Sequence, residues 1–201
     1  KWDRNTLYKH LVHGANFLQG PEGAREKILK ETGVEYPVRT ISKVMGIYFE
    51  LFPEIRKWQT QLQLQADRDG YVRNAFDYVH RFYKVFNWRQ EGGQWVRYPG
   101  DDANKVVAFK PQSNAAGIIK EAILRLYFDR FEEAGQYLRL QVHDEIFGEC
   151  PERYADRFDA VMQEEMENAI KQLPLPTSYG MGDHLIILTE SKRGQRWGQM
   201  S

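Results

Sequence analysis

The chain has 201 residues, no net charge, and 42% hydrophobic against 28% charged residues. That is a globular composition, long enough for one sizeable domain or two small ones and too short for a large multidomain enzyme. The single cysteine, Cys150, excludes an internal disulfide framework and a cysteine-only zinc site, and no apolar run reaches the about 18 residues of a membrane span. Charge is unevenly spread: residues 1–100 hold 16 Lys+Arg against 11 Asp+Glu (+5), residues 101–201 hold 12 against 17 (−5). Such a split could put a polyanion on one side and metal ions on the other, but charge alone favours chance variation on a solvated surface.

In chain order, the spacing predicts a helix over 4–18, with Lys9, His13 and Phe17 four apart on one face. A second helix runs over 21–32, with Pro21 in its first turn and Gly33 as its stop. Residues 41–66 read as helical with an interruption at Pro53. Asp69-Gly70 marks a turn, followed by a short strand near 71–74 and a hairpin around Gly92-Gly93. Pro111 opens a long helix to about Ala134. Leu138, Leu140 and Val142 alternate with Arg139 and Gln141, and Ile146-Phe147-Gly148 returns from a turn at His143-Asp144-Glu145. A helix then runs from Pro151 to about Gln172 with Tyr154, Phe158, Val161, Met162, Met166 and Ile170 on one face, and His184 to Thr189 is the last strand. The whole reads as α+β in two lobes.

Asp144 and Glu145 at a hairpin tip repel one another, a cost that a divalent cation with a preference for hard oxygen ligands would offset. On residue type alone a solvated acidic turn is the favoured reading. A cation followed by two rings, Lys9, His13 and Phe17, can hold a phosphate and stack a base, or can be an ordinary amphipathic face. Gln112 at a helix start is open to a nucleic-acid groove, while its neighbours Ser113 and Asn114 read as helix caps. Cys150 reads as a packed thiol, and His10 and His13 lack the companions of a zinc site.

Four segments, in order, carry a resemblance: Lys9-His10-Leu11-Val12-His13-Gly14-Ala15-Asn16-Phe17; Gly70-Tyr71-Val72-Arg73-Asn74 leading into Val79-His80-Arg81-Phe82-Tyr83; Phe109 to Lys120 around Gln112; and Gln141-Val142-His143-Asp144-Glu145. Together they resemble the C-terminal polymerase region of family A DNA polymerases, closest to phage- and virus-like members. The first segment is similar to the fingers helix called motif B and the fourth to motif C. The ending, Leu188-Thr189-Glu190 through Trp197-Gly198, has the same look.

The resemblance implies a DNA-directed DNA polymerase that transfers a nucleotide from a dNTP to a primer 3′-hydroxyl with two Mg²⁺ ions. It makes residues 1–84 the helical fingers and residues 85–201 the C-terminal palm, with an antiparallel hairpin and long packed helices. Asp144 becomes a metal ligand, supported by Glu145, and His143 faces the primer backbone. Lys9 meets the incoming triphosphate as a stabiliser and proton donor. Arg4 belongs to the same nucleotide site, His13 takes the stacking position, and Phe17 guards the templating base. Gln112 reads the minor groove and Arg81 contacts DNA.

Departures accompany the likeness. The Arg that the family places four residues before the motif B Lys is Asn5 here, with Arg4 one step off. Phe17-Leu18 replaces Tyr-Gly, and Ala108 stands where bacterial members often have a polar residue. Motif A, with the other metal Asp, lies upstream of the segments present. The expectation is therefore a chain without a complete two-metal site, partnered by an N-terminal portion that carries motif A. A truncated product, an intein or a split gene would each produce it. The chain opens Lys1-Trp2-Asp3 without a basic-then-apolar leader, and a cytoplasmic place in a bacterium or virus-infected cell is expected. His-Asp-Glu rather than His-Asp-Ser favours DNA over RNA synthesis. A non-catalytic nucleic-acid-binding remnant is the rival from another class, and a metal-dependent phosphoesterase would need more carboxylates around Asp144.

Overall fold

The computed structural model describes residues 7–168, 170–176, 180 and 182–199. Among them helices and antiparallel strand pairs alternate, which is the expected α+β class. Packing divides the chain into two compact units, Lys1–Pro111 and Gln112–Ser201. This division of packing falls inside a helix.

The first unit begins with a π-type turn at 7–8 and α1 (Lys9–Asn16). Helix α2 (Pro21–Thr32) starts on its proline and stops at Gly33, and α4 (Pro53–Asp69) does the same between Pro53 and Gly70. Between them lies α3 (Val38–Leu51). Leu7, Leu11 and Ala15 pack against Ala24, Ile28, Ile41 and Met45, all buried. Burying these side chains supplies the stability that helices of 8 to 14 residues lack by themselves.

A second core joins Leu62 and Ala66 to Val72, Phe82, Val85 and Val106. Around it lie β1 (Tyr71–Arg73) and β2 (Val79–Arg81), paired antiparallel with Tyr71 opposite Arg81. The Asn74 side-chain oxygen accepts the N–H groups of Phe76 and Tyr78, each at 2.9 Å, and so builds the connecting turn. Strands β3 (Phe86–Glu91) and β4 (Gln94–Pro99) form the expected hairpin over Gly92-Gly93. Its base is fastened by Asp102, whose carboxylate accepts the N–H groups of Tyr83 (3.0 Å) and Lys84 (3.2 Å).

The next helix differs from its expectation. Helix α5 spans Ala103–Phe128, so Pro111 lies inside it and the helix ends before Ala134. An interior proline removes a hydrogen bond and costs about 3 kcal/mol. Val106 and Val107, both fully buried one turn earlier, offset that cost by packing.

In the second unit β5 (Leu138–Val142) and β6 (Glu145–Gly148) form the expected hairpin. Leu126, Ala134, Val161 and Met162 form the core, flanked by Leu138, Ile146, Phe158 and Met166. The helix expected from Pro151 to Gln172 is a 3-10 turn (Glu152–Tyr154) and α6 (Ala155–Glu167). The backbone leaves the helix at Asn168, and Ile170 is buried from β7 (Ile170–Pro174) instead of from the helix face. Three carboxylates, Glu164, Glu165 and Glu167, crowd the helix C-terminus, where the helix dipole disfavours anions and no basic residue follows on the helix itself. Arg125 and Arg130 reach Glu165 from the α5 end, at 3.0 and 2.9 Å. The expected last strand, 184–189, is reduced to β8 (His184–Leu185), paired with β7. Beyond it Thr189 donates its N–H to Glu167 at 2.7 Å, so this stretch is spent on satisfying α6 rather than on a ladder.

Candidate functional site

Helix α1 carries Lys9 and His13 on its exposed surface, and Phe17 follows one residue after its end, half-buried. The His13 and Phe17 ring centroids lie 4.8 Å apart, edge to face, so these two rings meet although Phe17 lies just beyond the helix. Two side chains from other helices hold this end in place. Gln59 of α4 is buried and donates to the carbonyls of Ala15 (2.8 Å) and Asn16 (3.0 Å). The Tyr48 hydroxyl of α3 donates to the Asn16 side chain at 2.7 Å. Gln59 thereby satisfies carbonyls that a helix end leaves without partners. Sequence reading missed both residues. The one signal was a glutamine on what is otherwise the apolar side of α4, with Leu62 and Ala66.

His13 titrates below its ordinary value. Partial burial is the main cause, followed by the positive Lys27 and by His10, against a smaller opposing pull from Glu31. This shift favours the neutral ring. His10 itself points Nδ1 at Glu31, 3.0 Å away. Arg4 lies outside the described residues. Arg81 is exposed at the end of β2.

The second group sits at the β5–β6 turn. Val142 pairs with Glu145, leaving His143 and Asp144 as a two-residue turn. His143 has φ 53°, a left-handed conformation uncommon for a residue with a side chain. The Gln141 side-chain amide donates to the His143 carbonyl at 2.7 Å and braces the turn. His143, Asp144 and Glu145 are all exposed. Among the described residues neither carboxylate has a hydrogen-bond or ion-pair partner, and no group of three or more His, Cys, Asp or Glu stands together to hold a metal. One unpaired, solvent-facing carboxylate on a braced turn fits Mg²⁺, which binds through one or two protein carboxylates and otherwise through water and substrate phosphates.

Gln112 is exposed on α5, immediately after Pro111. Because α5 begins at Ala103, Ser113 and Asn114 lie well inside the helix and are not its N-terminal caps. Lys9, His13, Phe17 and Arg81 belong to the first compact unit, and Gln112, His143, Asp144 and Glu145 to the second.

Comparison with known proteins bears on this arrangement. The family model for DNA polymerase family A matches residues 23–186. The chain belongs to DNA polymerase family A. Among its relatives are the thermostable DNA polymerase I of Thermus filiformis, 31% identical over 158 residues, and that of Thermus thermophilus, 33% identical over 145 residues. These alignments cover 78% and 71% of this chain, but 18% and 16% of the relatives. The DNA polymerase of Mycobacterium phage L5 is 28% identical over 160 residues, 76% of this chain and 23% of that protein. The chain thus spans under a quarter of the length of these relatives. The fold is similar to that of the POL domain of Pol1 from M. smegmatis, solved in complex with DNA primer-template and dNTP, with a TM-score of 0.62 at 22% identity over 83% of this chain and 27% of that one. The family match includes the Asp144 hairpin, Gln112 and Arg81, and begins after α1.

Proposed function

We propose that this chain supplies the fingers (1–84) and C-terminal palm (85–201) of a template-directed DNA polymerase acting on primer–template DNA and dNTPs. The observation that carries the reading is the bare Asp144 carboxylate at the apex of a braced hairpin, within the stretch that matches the family. Asp144 would hold Mg²⁺, with Glu145 beside it. The ion held by Asp144 would supply Lewis-acid chemistry toward the primer 3′-hydroxyl and the leaving pyrophosphate. His143 faces the primer backbone. Lys9 places its ammonium on the triphosphate and can return a proton to the pyrophosphate, with Arg4 near the same phosphates. His13 stacks on the incoming base as a neutral ring, and Phe17 covers the templating position. Gln112 reads minor-groove acceptors common to all base pairs, and Arg81 takes a backbone phosphate. The remaining metal ligands come from an N-terminal portion that carries motif A.

A second reading, a non-catalytic nucleic-acid-binding remnant, draws on the lack of a three-ligand group among the described residues. Mg²⁺-dependent primer extension by the polymerase assembled with its motif A portion, followed beside primer–template binding, separates the two. The polymerase reading expects Asp144→Ala to lower extension by about 1000-fold, the loss of roughly 4 kcal/mol of transition-state stabilisation, with duplex binding nearly unchanged. Mn²⁺ should broaden amide signals at residues 143–145, and Asp144→Ala should abolish that broadening. Duplex binding with neither extension nor Mn²⁺ broadening would favour the remnant.

A further inference from the structure

We infer that one face of the β3–β4 hairpin is a stacking platform for unpaired bases of single-stranded DNA, an inference that rests on the nucleic-acid reading above. The register puts Phe86, Trp88 and Gln90 of β3 on the same face as Trp95, Arg97 and Pro99 of β4. Trp88 is 58% and Trp95 67% exposed. Large indoles left in water on a short, isolated ribbon do nothing for the core beneath, which takes Val85 and Phe86 from this segment and neither tryptophan. Among the described residues neither indole has a ring or hydrogen-bond partner.

Trp88 pairs with Arg97, and Trp95 with Gln90, so the two indoles are diagonal neighbours about 7–8 Å apart at their backbones. That spacing suits two successive bases of an extended strand, each laid on one ring. The face carries one charge, and it is positive: the Arg97 guanidinium, held 4.3 Å over the Phe86 ring. The hairpin's one acid, Glu91, lies on the other face, paired with Arg89. A phosphate beside Trp88 therefore meets a cation and no carboxylate. Gln90 offers a donor and an acceptor beside Trp95. Six side chains on a two-stranded ribbon fall short of the about 800 Å² that each partner of a stable protein complex contributes, whereas two stacked bases need no more than two indoles.

The test is fluorescence anisotropy of a labelled oligothymidylate titrated with the 201-residue chain, with a blunt duplex of the same length as comparator. Trp88→Ala and Trp95→Ala are each expected to weaken single-strand binding roughly five- to hundredfold, and the Phe variants to retain most of it. Duplex binding and the melting temperature should hold, since both sites are exposed. Arg97→Gln should reduce the slope of log affinity against log salt by about 0.7, one phosphate contact. Unchanged single-strand affinity in both Ala variants overturns the platform. So does a concentration-dependent dimer, seen by sedimentation, that the same variants abolish, since a second copy would then occupy the face. Asp144→Ala should leave single-strand binding intact, so failure of the metal site and failure of the platform give different results.

Discussion

The two longer hairpins solve the same geometric problem with different residues. Both turn in two residues. At the β3–β4 tip these are Gly92 (φ 55°) and Gly93 (φ 85°), the residues that a tight turn of positive φ prefers. At the β5–β6 tip they are His143 (φ 53°) and Asp144. A side chain in the left-handed region costs about 1–2 kcal/mol. The first turn uses residues that favour its conformation; the second holds a side chain in a strained conformation at its apex, as residues that serve a site often are. The anchors differ as well. The β3–β4 base is tied by polar bonds to Asp102, while β6 is pressed directly against α6.

That second anchor gives the largest expected effect on stability. A Cβ on Gly148 would stand 2.1 Å from the Phe158 ring. Phe158 flanks the second unit's core and cannot swing away freely. Gly148→Ala should destabilise by about 3 kcal/mol, the upper end for overpacking, as read by urea unfolding. A loss under about 0.5 kcal/mol would show that β6 is not pressed on α6.

The polar anchor comes next, and it depends on pH. Asp102 titrates at about 2, against an ordinary 3.8, because Lys105 bonds its carboxylate first and the Tyr83 and Lys84 N–H groups follow. The folded state thus favours the ionised form. Its stabilisation is complete above about pH 4 and is lost as pH falls toward 2. Asp102→Ala should cost about 1.5–3 kcal/mol at pH 7, since two N–H groups lose a charged acceptor. The gap between the two melting curves should narrow below pH 4; a constant gap from pH 7 to 2.5 would mean the carboxylate does not fasten the hairpin.

The sequence disclosed the two hairpins unequally as well. Gly92-Gly93 announced its turn, and the Leu138–Val142 alternation announced its strand. The helix boundaries that went astray did so for tertiary reasons. Pro111 looks like a start because a proline is cheap there, yet Val106 and Val107 carry the helix through it. The Val161–Ile170 face keeps helical period, but its carboxylates and Asn168 turn the backbone out before Ile170. Of the proposed site, the Lys9–His13–Phe17 face and the His143–Asp144 apex were readable because each is local in sequence. Gln59 and Tyr48, which hold the α1 end, were not: their partners lie 44, 43 and 32 residues away. The Trp88–Trp95 face was hidden too, because strand pairing, not spacing, puts the two rings together.

The tips themselves give the smallest and most discriminating pair. Gly92→Ala should cost about 1–2 kcal/mol, since Ala must enter the left-handed region. His143→Gly should run the other way, because glycine relieves the φ of 53° while adding some freedom to the unfolded chain. A net gain of up to about 1 kcal/mol is expected, a rise of roughly 2–4 °C in melting temperature for a chain of this size. On the proposed polymerase reading, primer extension by the assembled enzyme should fall in the same variant, because the imidazole proposed to face the primer is gone. Stability up and extension down together would identify the strain at His143 as a cost borne for the site. A lower melting temperature would instead make His143 a structural part of its turn, and the contrast between the two hairpins would reduce to their anchors.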